Sequence, residues 1–214
     1  MSRTGLAIVE CRWWTRGNDS VRPLFETLAG IVEDNPHAVR YDMFADRSSL
    51  ESVFAQVASV GDYHSIYVAS HGNEQHLGAL GDALISRTEL RNSVRATNTK
   101  AHIKGIYFGS CLIANRANAE FLLKDRGTKL LWVAGYAKTV DWVDSSAIDM
   151  IFWSKYLHAR KANKSKKGPK AEKSEVQMML NSSKKMRDLV PNVFTQMGFN
   201  IYYLDNANNV NAVW

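Results

Sequence analysis

Ser65-Ile66-Tyr67-Val68-Ala69-Ser70-His71-Gly72 and Ile103-Lys104-Gly105-Ile106-Tyr107-Phe108-Gly109-Ser110-Cys111 decide how this chain folds. Each is a short apolar run rich in β-branched and aromatic residues, the composition of a buried strand. Each ends in small residues followed by one residue capable of chemistry, His71 in the first and Cys111 in the second. Both sides of these two runs carry helical periodicity, so they read as consecutive βα units. Such units usually lay their strands side by side, and open α/β sheets place their sites beyond the carboxyl ends of the strands. His71 and Cys111 are therefore expected to be neighbours.

The alternation extends in both directions. Toward the N-terminus, Leu6 to Val9 reads as a buried strand. Ser20 is placed to cap a helix with Val21, Leu24, Phe25, Leu28 and Val32 on one face. Val39, Tyr41 and Met43 alternate with Arg40 and Asp42, as in a half-buried strand. Ser48 and Glu51 have capping-box spacing before Leu50, Val53, Phe54 and Val57. Between the two deciding stretches, Gly78 to Ile85 around Gly81-Asp82 reads as a hairpin or tight loop. Ser86 and Glu89 again have capping-box spacing, ahead of Leu90 and Val94. After Cys111, Asn115 to Lys124 reads as a helix and Lys129 to Ala134 as a strand. Asp144 is the expected cap of a helix bearing Ile148, Ile151, Phe152 and Tyr156. Ser174 and Gln177 open a further helix with Met179, Leu180 and Leu189 as core positions, and Phe199 to Leu204 is the last strand. The pattern predicts an α/β three-layer sandwich, a mostly parallel six-stranded sheet flanked by helices, in one domain over residues 1–214.

Composition narrows the function. In 214 residues, 45% apolar and 22% charged content is that of an ordinary globular protein. No apolar run approaches the roughly 18 residues of a membrane span, and no membrane partner is expected. Gly5 to Val9 is too short for a signal peptide and runs into Glu10 and Cys11. Two cysteines, Cys11 and Cys111, make no disulfide framework, so a reducing, cytoplasmic location is expected. The net charge of +6 is local: six Lys and one Glu between Lys161 and Ser174 supply +5 of it. That stretch reads as a flexible Lys-rich insertion, a solvated linker first, a polyanion- or partner-binding segment or a processing site otherwise. Nucleic acid is not expected as a partner except through it. No metal-ligand spacing and no phosphate-cradling glycine loop is present, so no metal and no cofactor is expected.

A thiol beside an imidazole is a nucleophile–base pair: the imidazole takes the thiol proton as sulfur attacks a carbonyl. Gly72 has no side chain to obstruct a substrate. Its N–H, with that of Cys111, could form an oxyanion hole. The other histidines, His64, His76, His102 and His158, read as structural or solvated, Cys11 as core, and Ser110 as a packing residue. Trp13, Trp14 and Trp142 fall at strand ends, either as a substrate-facing wall or as edge packing.

Strand-Ser70-His71-Gly72 followed by strand-Gly109-Ser110-Cys111 resembles the caspase-like cysteine peptidases, the clan of caspases, metacaspases, gingipains, legumains, separases and CHAT-domain proteases. The resemblance covers residues 5–157 in element order and is nearest to the CHAT, separase and metacaspase members. It includes the histidine-first order, with 40 residues from His71 to Cys111 against about 50 in caspases. It implies a cysteine endopeptidase with His71 as base, Cys111 as nucleophile and Gly72 as oxyanion donor. Its partners would be a protein or peptide substrate and a separate activator protein. Gly109-Ser110 stands where caspases carry Gln-Ala and metacaspases Asp-Ser. The caspase arginines that bind aspartate have no clear match, Arg12 being the nearest by position. The resemblance places Asp141, Trp142 and Asp144 in the substrate-binding region and raises a preference for cleavage after basic residues. The alternative is a catalytically silent caspase-like interaction module.

Overall fold

The computed structural model describes residues 4–14, 19–164 and 174–214. Strands β1 (Leu6–Cys11), β2 (Arg40–Phe44) and β3 (Ser65–Ala69) are followed by a small hairpin, β4 (His76–Gly78) and β5 (Leu84–Ser86). Then come β6 (Gly105–Gly109), β7 (Trp132–Tyr136), β8 (Phe199–Leu204) and β9 (Val210–Ala212). The helices are α1 (Arg22–Glu33), α2 (Arg47–Ser59), α3 (Arg87–Thr97), α4 (Arg116–Leu123), α5 (Trp142–Lys164), α6 (Glu175–Leu189) and α7 (Val193–Met197). The main sheet has seven strands in the order β2-β1-β3-β6-β7-β8-β9, and β4 pairs only with β5. From β2 to β7 all pairings are parallel; β8 and β9 are antiparallel additions at one end.

The six expected strands all form, and the sheet gains a seventh, β9. Residues Val210–Ala212 are too few to show a period, and the strand exists because Leu204, Tyr203 and Tyr202 offer it a ladder. Helix starts are corrected at three places. Helix α2 is capped by Asp46 with Ser49, not by Ser48 with Glu51. Helix α1 begins after Val21 with no side-chain cap, Pro23 standing in its first turn; Ser20 instead donates to Glu10 at 2.5 Å. Helix α5 is capped by Asp141, whose carboxylate accepts the N–H groups of Val143 at 2.8 Å and Asp144 at 3.1 Å. The Ser86–Glu89 capping box and the Ser174 cap form as expected. Leu189 is exposed rather than core. Of the Lys-rich segment, Lys161 to Lys164 belong to the last turn of α5, and the expectation of a flexible insertion at 165–173 lies outside the described residues.

The two faces of the sheet differ in chemistry because strand residues alternate sides. Ala7, Val9, Ile66, Val68, Ile106, Phe108 and Val133 form an aliphatic face, packed with Leu50, Phe54, Val94 and Leu122 from α2, α3 and α4. On the other face lie Leu6, Ile8, Tyr67, Tyr107, Trp132, Tyr136 and Phe199, covered by Phe25 of α1, Phe152, Trp153 and Tyr156 of α5, and Met179 of α6. The result is three layers, helix on sheet on helix. The long apolar stripe of α5 explains why one helix can cover so much aromatic surface, each ring burying about 150–250 Å².

Two buried ionic groups fix the periphery of the aromatic face. Glu10 on β1 is fully buried and accepts from Ser20, from Tyr41 at 2.6 Å and from the Val21 N–H at 3.0 Å. Arg160 of α5 meets Glu175 of α6 at 3.2 Å with both side chains nearly inaccessible. That pair joins the two helices on either side of residues 165–173.

Candidate active site

The strand order reverses at β1: the chain steps outward to β2 and returns on the other side of β1 as β3. Such a switch point opens a crevice at the carboxyl ends of the strands. A pocket of about 100 Å³ lies there, with His71 from the end of β3, Cys111 from the end of β6, and Val140 and Trp142 from the β7–α5 connection on its walls. Strands β3 and β6 are direct neighbours with Ala69 opposite Gly109. The juxtaposition of His71 and Cys111 follows from that register. A larger groove of about 950 Å³ between α2 and α3 shares no lining residue with this pocket and holds neither His71 nor Cys111.

The two strand ends are tied together by serines. Ser110, 2% exposed, accepts the Ser70 N–H at 3.3 Å, and the two hydroxyls lie 3.3 Å apart. Ser70 in turn donates to the His71 carbonyl at 2.8 Å. Ser110 therefore does more than fill space: it links the segment carrying the imidazole to the segment carrying the thiol. On its other side His71 is held by the hairpin, whose Gly78 N–H donates to the His71 carbonyl at 2.8 Å.

Gly72 faces Leu77 of the hairpin. The flanking bonds run from Asn73 N–H to His76 O at 3.0 Å and from Gly78 N–H to His71 O. In that pattern Gly72 is the non-hydrogen-bonded member of the ladder, so its own N–H points away from the hairpin. A Cβ on Gly72 would lie 2.6 Å from the Cys111 carbonyl oxygen and 3.2 Å from the Ser110 Cβ. Only glycine permits this approach, which sets the Gly72 and Cys111 backbones against one another.

Cys111 is partly buried. Its Sγ accepts from the Val140 N–H at 3.4 Å and lies 3.7 Å from the Val140 carbonyl. Directly after it, the Ile113 N–H donates back to the Cys111 carbonyl at 2.7 Å, closing a three-residue turn about Leu112. Leu112 has φ 64°, a left-handed conformation costly for a side chain of this size, and it turns the chain directly after Cys111. The exposed imidazole of His71 packs edge-on against Trp13, centroids 5.6 Å apart. Among the described residues it makes no hydrogen bond to the thiol. Trp13 also meets Trp142 at 5.8 Å and Trp14 at 5.8 Å. Trp13 and Trp142 thus form a wall of the pocket, and Trp14 stands behind Trp13.

The remaining candidates fall elsewhere. Asp141 and Asp144 are exposed and absent from the pocket walls, Asp141 capping α5. Arg12 is exposed and likewise outside them. His64 and His102 bond to backbone between β3 and β6, His64 to the His102 carbonyl at 3.2 Å and His102 to the Ala58 carbonyl at 2.7 Å. His76 meets Asn73 at 3.2 Å, and His158 the Ser154 carbonyl at 2.7 Å. Cys11 is 1% exposed, and burial, with the neighbouring Glu10 charge second, pushes its thiol up to about 11. It is inert, which leaves Cys111 as the one thiol with access to solvent.

One feature escapes a reading by segments. Beneath the pocket, Asp149 of α5 is 3% exposed and accepts hydroxyl bonds from Tyr67 at 2.5 Å, Tyr136 at 2.6 Å and Tyr107. Burial raises its carboxyl to about 6, opposed by the three hydroxyl bonds. The same burial, and the Asp149 charge after it, holds the three phenols well above their ordinary value. Asp149 falls on the inward stripe of α5 with Ser145, Phe152 and Tyr156, and a carboxylate on such a stripe is the signal that marks it.

No helix among the described residues is long and apolar enough to cross a membrane. No protein-family model and no curated protein sequence matches the chain.

Proposed function

We propose that this chain is a cysteine endopeptidase of the caspase-like kind, with His71 and Cys111 hydrolysing peptide bonds through an acyl-thioester. The observation that carries the reading is the meeting of imidazole and thiol on the walls of one pocket, at the ends of adjacent parallel strands, with the unladdered Gly72 backbone set against that of Cys111. The histidine-first order and the strand–Ser–His–Gly and strand–Gly–Ser–Cys sequences support it further.

The chemistry balances with these groups alone. The Cys111 thiol gives its proton to His71 as Sγ bonds to the substrate carbonyl carbon. The oxygen becomes an oxyanion facing the Gly72 and Cys111 N–H groups, a contribution commonly of about 3–4 kcal/mol per donor. The C–N bond breaks as His71 passes that proton to the leaving amine. Water then loses a proton to His71 and adds to the thioester. The C–S bond breaks, the carboxyl product leaves, and the proton returns to sulfur.

In the structure the thiol is turned toward Val140, so catalysis requires it to turn toward the imidazole. A separate activator protein that shifts the β7–α5 connection would speed this turn without being essential to it. The same observation favours one second reading, a silent interaction module in which the thiol stays against Val140. Peptidyl acyloxymethyl ketones of mixed sequence separate the two. The peptidase reading expects one adduct on Cys111 by intact mass, formed at least tenfold more slowly in His71→Ala. Equal labelling of both proteins, or none, would support the silent module.

A further inference from the structure

The geometry points to a small, uncharged side chain as the residue on the acyl side of the scissile bond, with the Tyr67 hydroxyl closing the pocket that receives it. This rests on the peptidase reading above. It replaces the expectation of a basic residue there, and four observations carry it.

First, the position two residues before the nucleophile is Gly109, and a Cβ there would fall 1.9 Å from the Tyr67 hydroxyl oxygen. The phenol of the neighbouring strand occupies the space a side chain at 109 would take, so residue 109 contributes no charge. Second, that hydroxyl is turned away from the pocket toward Asp149, which also holds Tyr107 and Tyr136. The Asp149 carboxylate is thus sealed behind its own donors at 3% exposed, and Glu10, which accepts the Val21 N–H, is fully buried. Third, among the described residues the pocket walls contain no Asp, Glu, Lys or Arg. A lysine, arginine or aspartate entering here would lose its water with no opposite charge to meet, which costs several kcal/mol. Fourth, the volume of about 100 Å³ equals roughly three water molecules at ~30 Å³ each. That fits alanine, serine, cysteine, threonine or valine side chains and excludes large aromatic ones. Trp142 sets the width at the mouth, and Ser146, 9% exposed, is the wall position from which a charge could face the entering side chain.

The test is kcat/KM on peptides that differ only in the residue before the scissile bond: Ala, Ser, Val, Phe, Lys, Arg and Asp. The native protein is expected to cleave after Ala, Ser and Val at least roughly 100-fold faster than after Lys, Arg or Asp, the ratio expected of an unpaired charge. Ser146→Asp is expected to raise Lys relative to Ala at least tenfold, and Trp142→Ala to raise Phe relative to Ala. Cleavage by the native protein chiefly after Lys, Arg or Asp, or without preference, overturns the inference while leaving the peptidase reading intact. Cleavage of none of the peptides removes that reading, and the inference with it.

Discussion

Asp149→Asn isolates the buried carboxylate beneath the pocket. In the folded chain burial lifts its carboxyl from an ordinary 3.8 to about 6. A raised acid binds its proton more readily in the folded state, so the contribution is present below the unfolded value and is lost as pH rises through the folded one. The gap corresponds to about 3 kcal/mol at roughly 1.4 kcal/mol per pH unit. The measurement is urea unfolding of both proteins by tryptophan fluorescence at steps from pH 4 to pH 7.5. Differencing the two curves cancels the titration of every other group. Part of that full amount lies below pH 4, so the stability of the native chain relative to Asp149→Asn should fall by about 2.4 kcal/mol from pH 4 to pH 7 and be flat above. The variant itself carries a fixed penalty, because one amide oxygen replaces the two carboxylate oxygens to which three tyrosine hydroxyls donate, and at least the Tyr67 bond to Oδ2 must rearrange. A relative stability that is flat across this range, or that climbs with pH, would refute the argument that the buried carboxylate is held against desolvation.

Other perturbations have equally defined outcomes. Gly72→Ala must move the Cys111 carbonyl, since the added methyl would sit 2.6 Å from it; peptide cleavage should fall roughly 10²–10³-fold, the scale of a lost oxyanion donor, and unchanged kcat/KM would show that this approach is irrelevant to turnover. Arg160→Met leaves Glu175 buried without its 3.2 Å partner, and should destabilise by about 3–5 kcal/mol in equilibrium unfolding; a loss under 1 kcal/mol would contradict it. Trp153→Ala, at a position with no exposed surface in the aromatic layer, should cost about 3–5 kcal/mol by the same assay.

Much of the architecture was legible because parallel strands buried on both faces are written as continuous apolar runs. Leu6–Cys11, Ser65–Ala69 and Gly105–Gly109 are such runs. The juxtaposition of His71 and Cys111 was legible for the same reason: residues at the ends of consecutive βα units become neighbours through register alone. Helix starts were less so. Asp46, Ser48 and Ser49 all have capping chemistry, and the selection of Asp46 follows from where the chain leaves β2. Likewise Asp141 lies three residues before Asp144, and only the direction of the chain after Tyr136 makes it the cap. Strand β9 was hidden because three residues carry no period. The Asp149 cluster was hidden because its parts are distant in sequence. Tyr67 and Tyr107 become opposite partners only through the β3–β6 register, and Tyr136 only through β7. The closing of the pocket by Tyr67 was hidden for a related reason: Gly109 gains its meaning from a side chain on the next strand.

The central claim is that Cys111 is the nucleophile of a peptidase. The most direct test is a mass-spectrometric digest of a mixed peptide library by the native chain and by Cys111→Ala, with Tm measured to show that both are folded. The account predicts cuts by the native chain alone and an unchanged Tm. Identical cuts from both proteins, or no cuts from either together with no peptidyl adduct on Cys111, would contradict it.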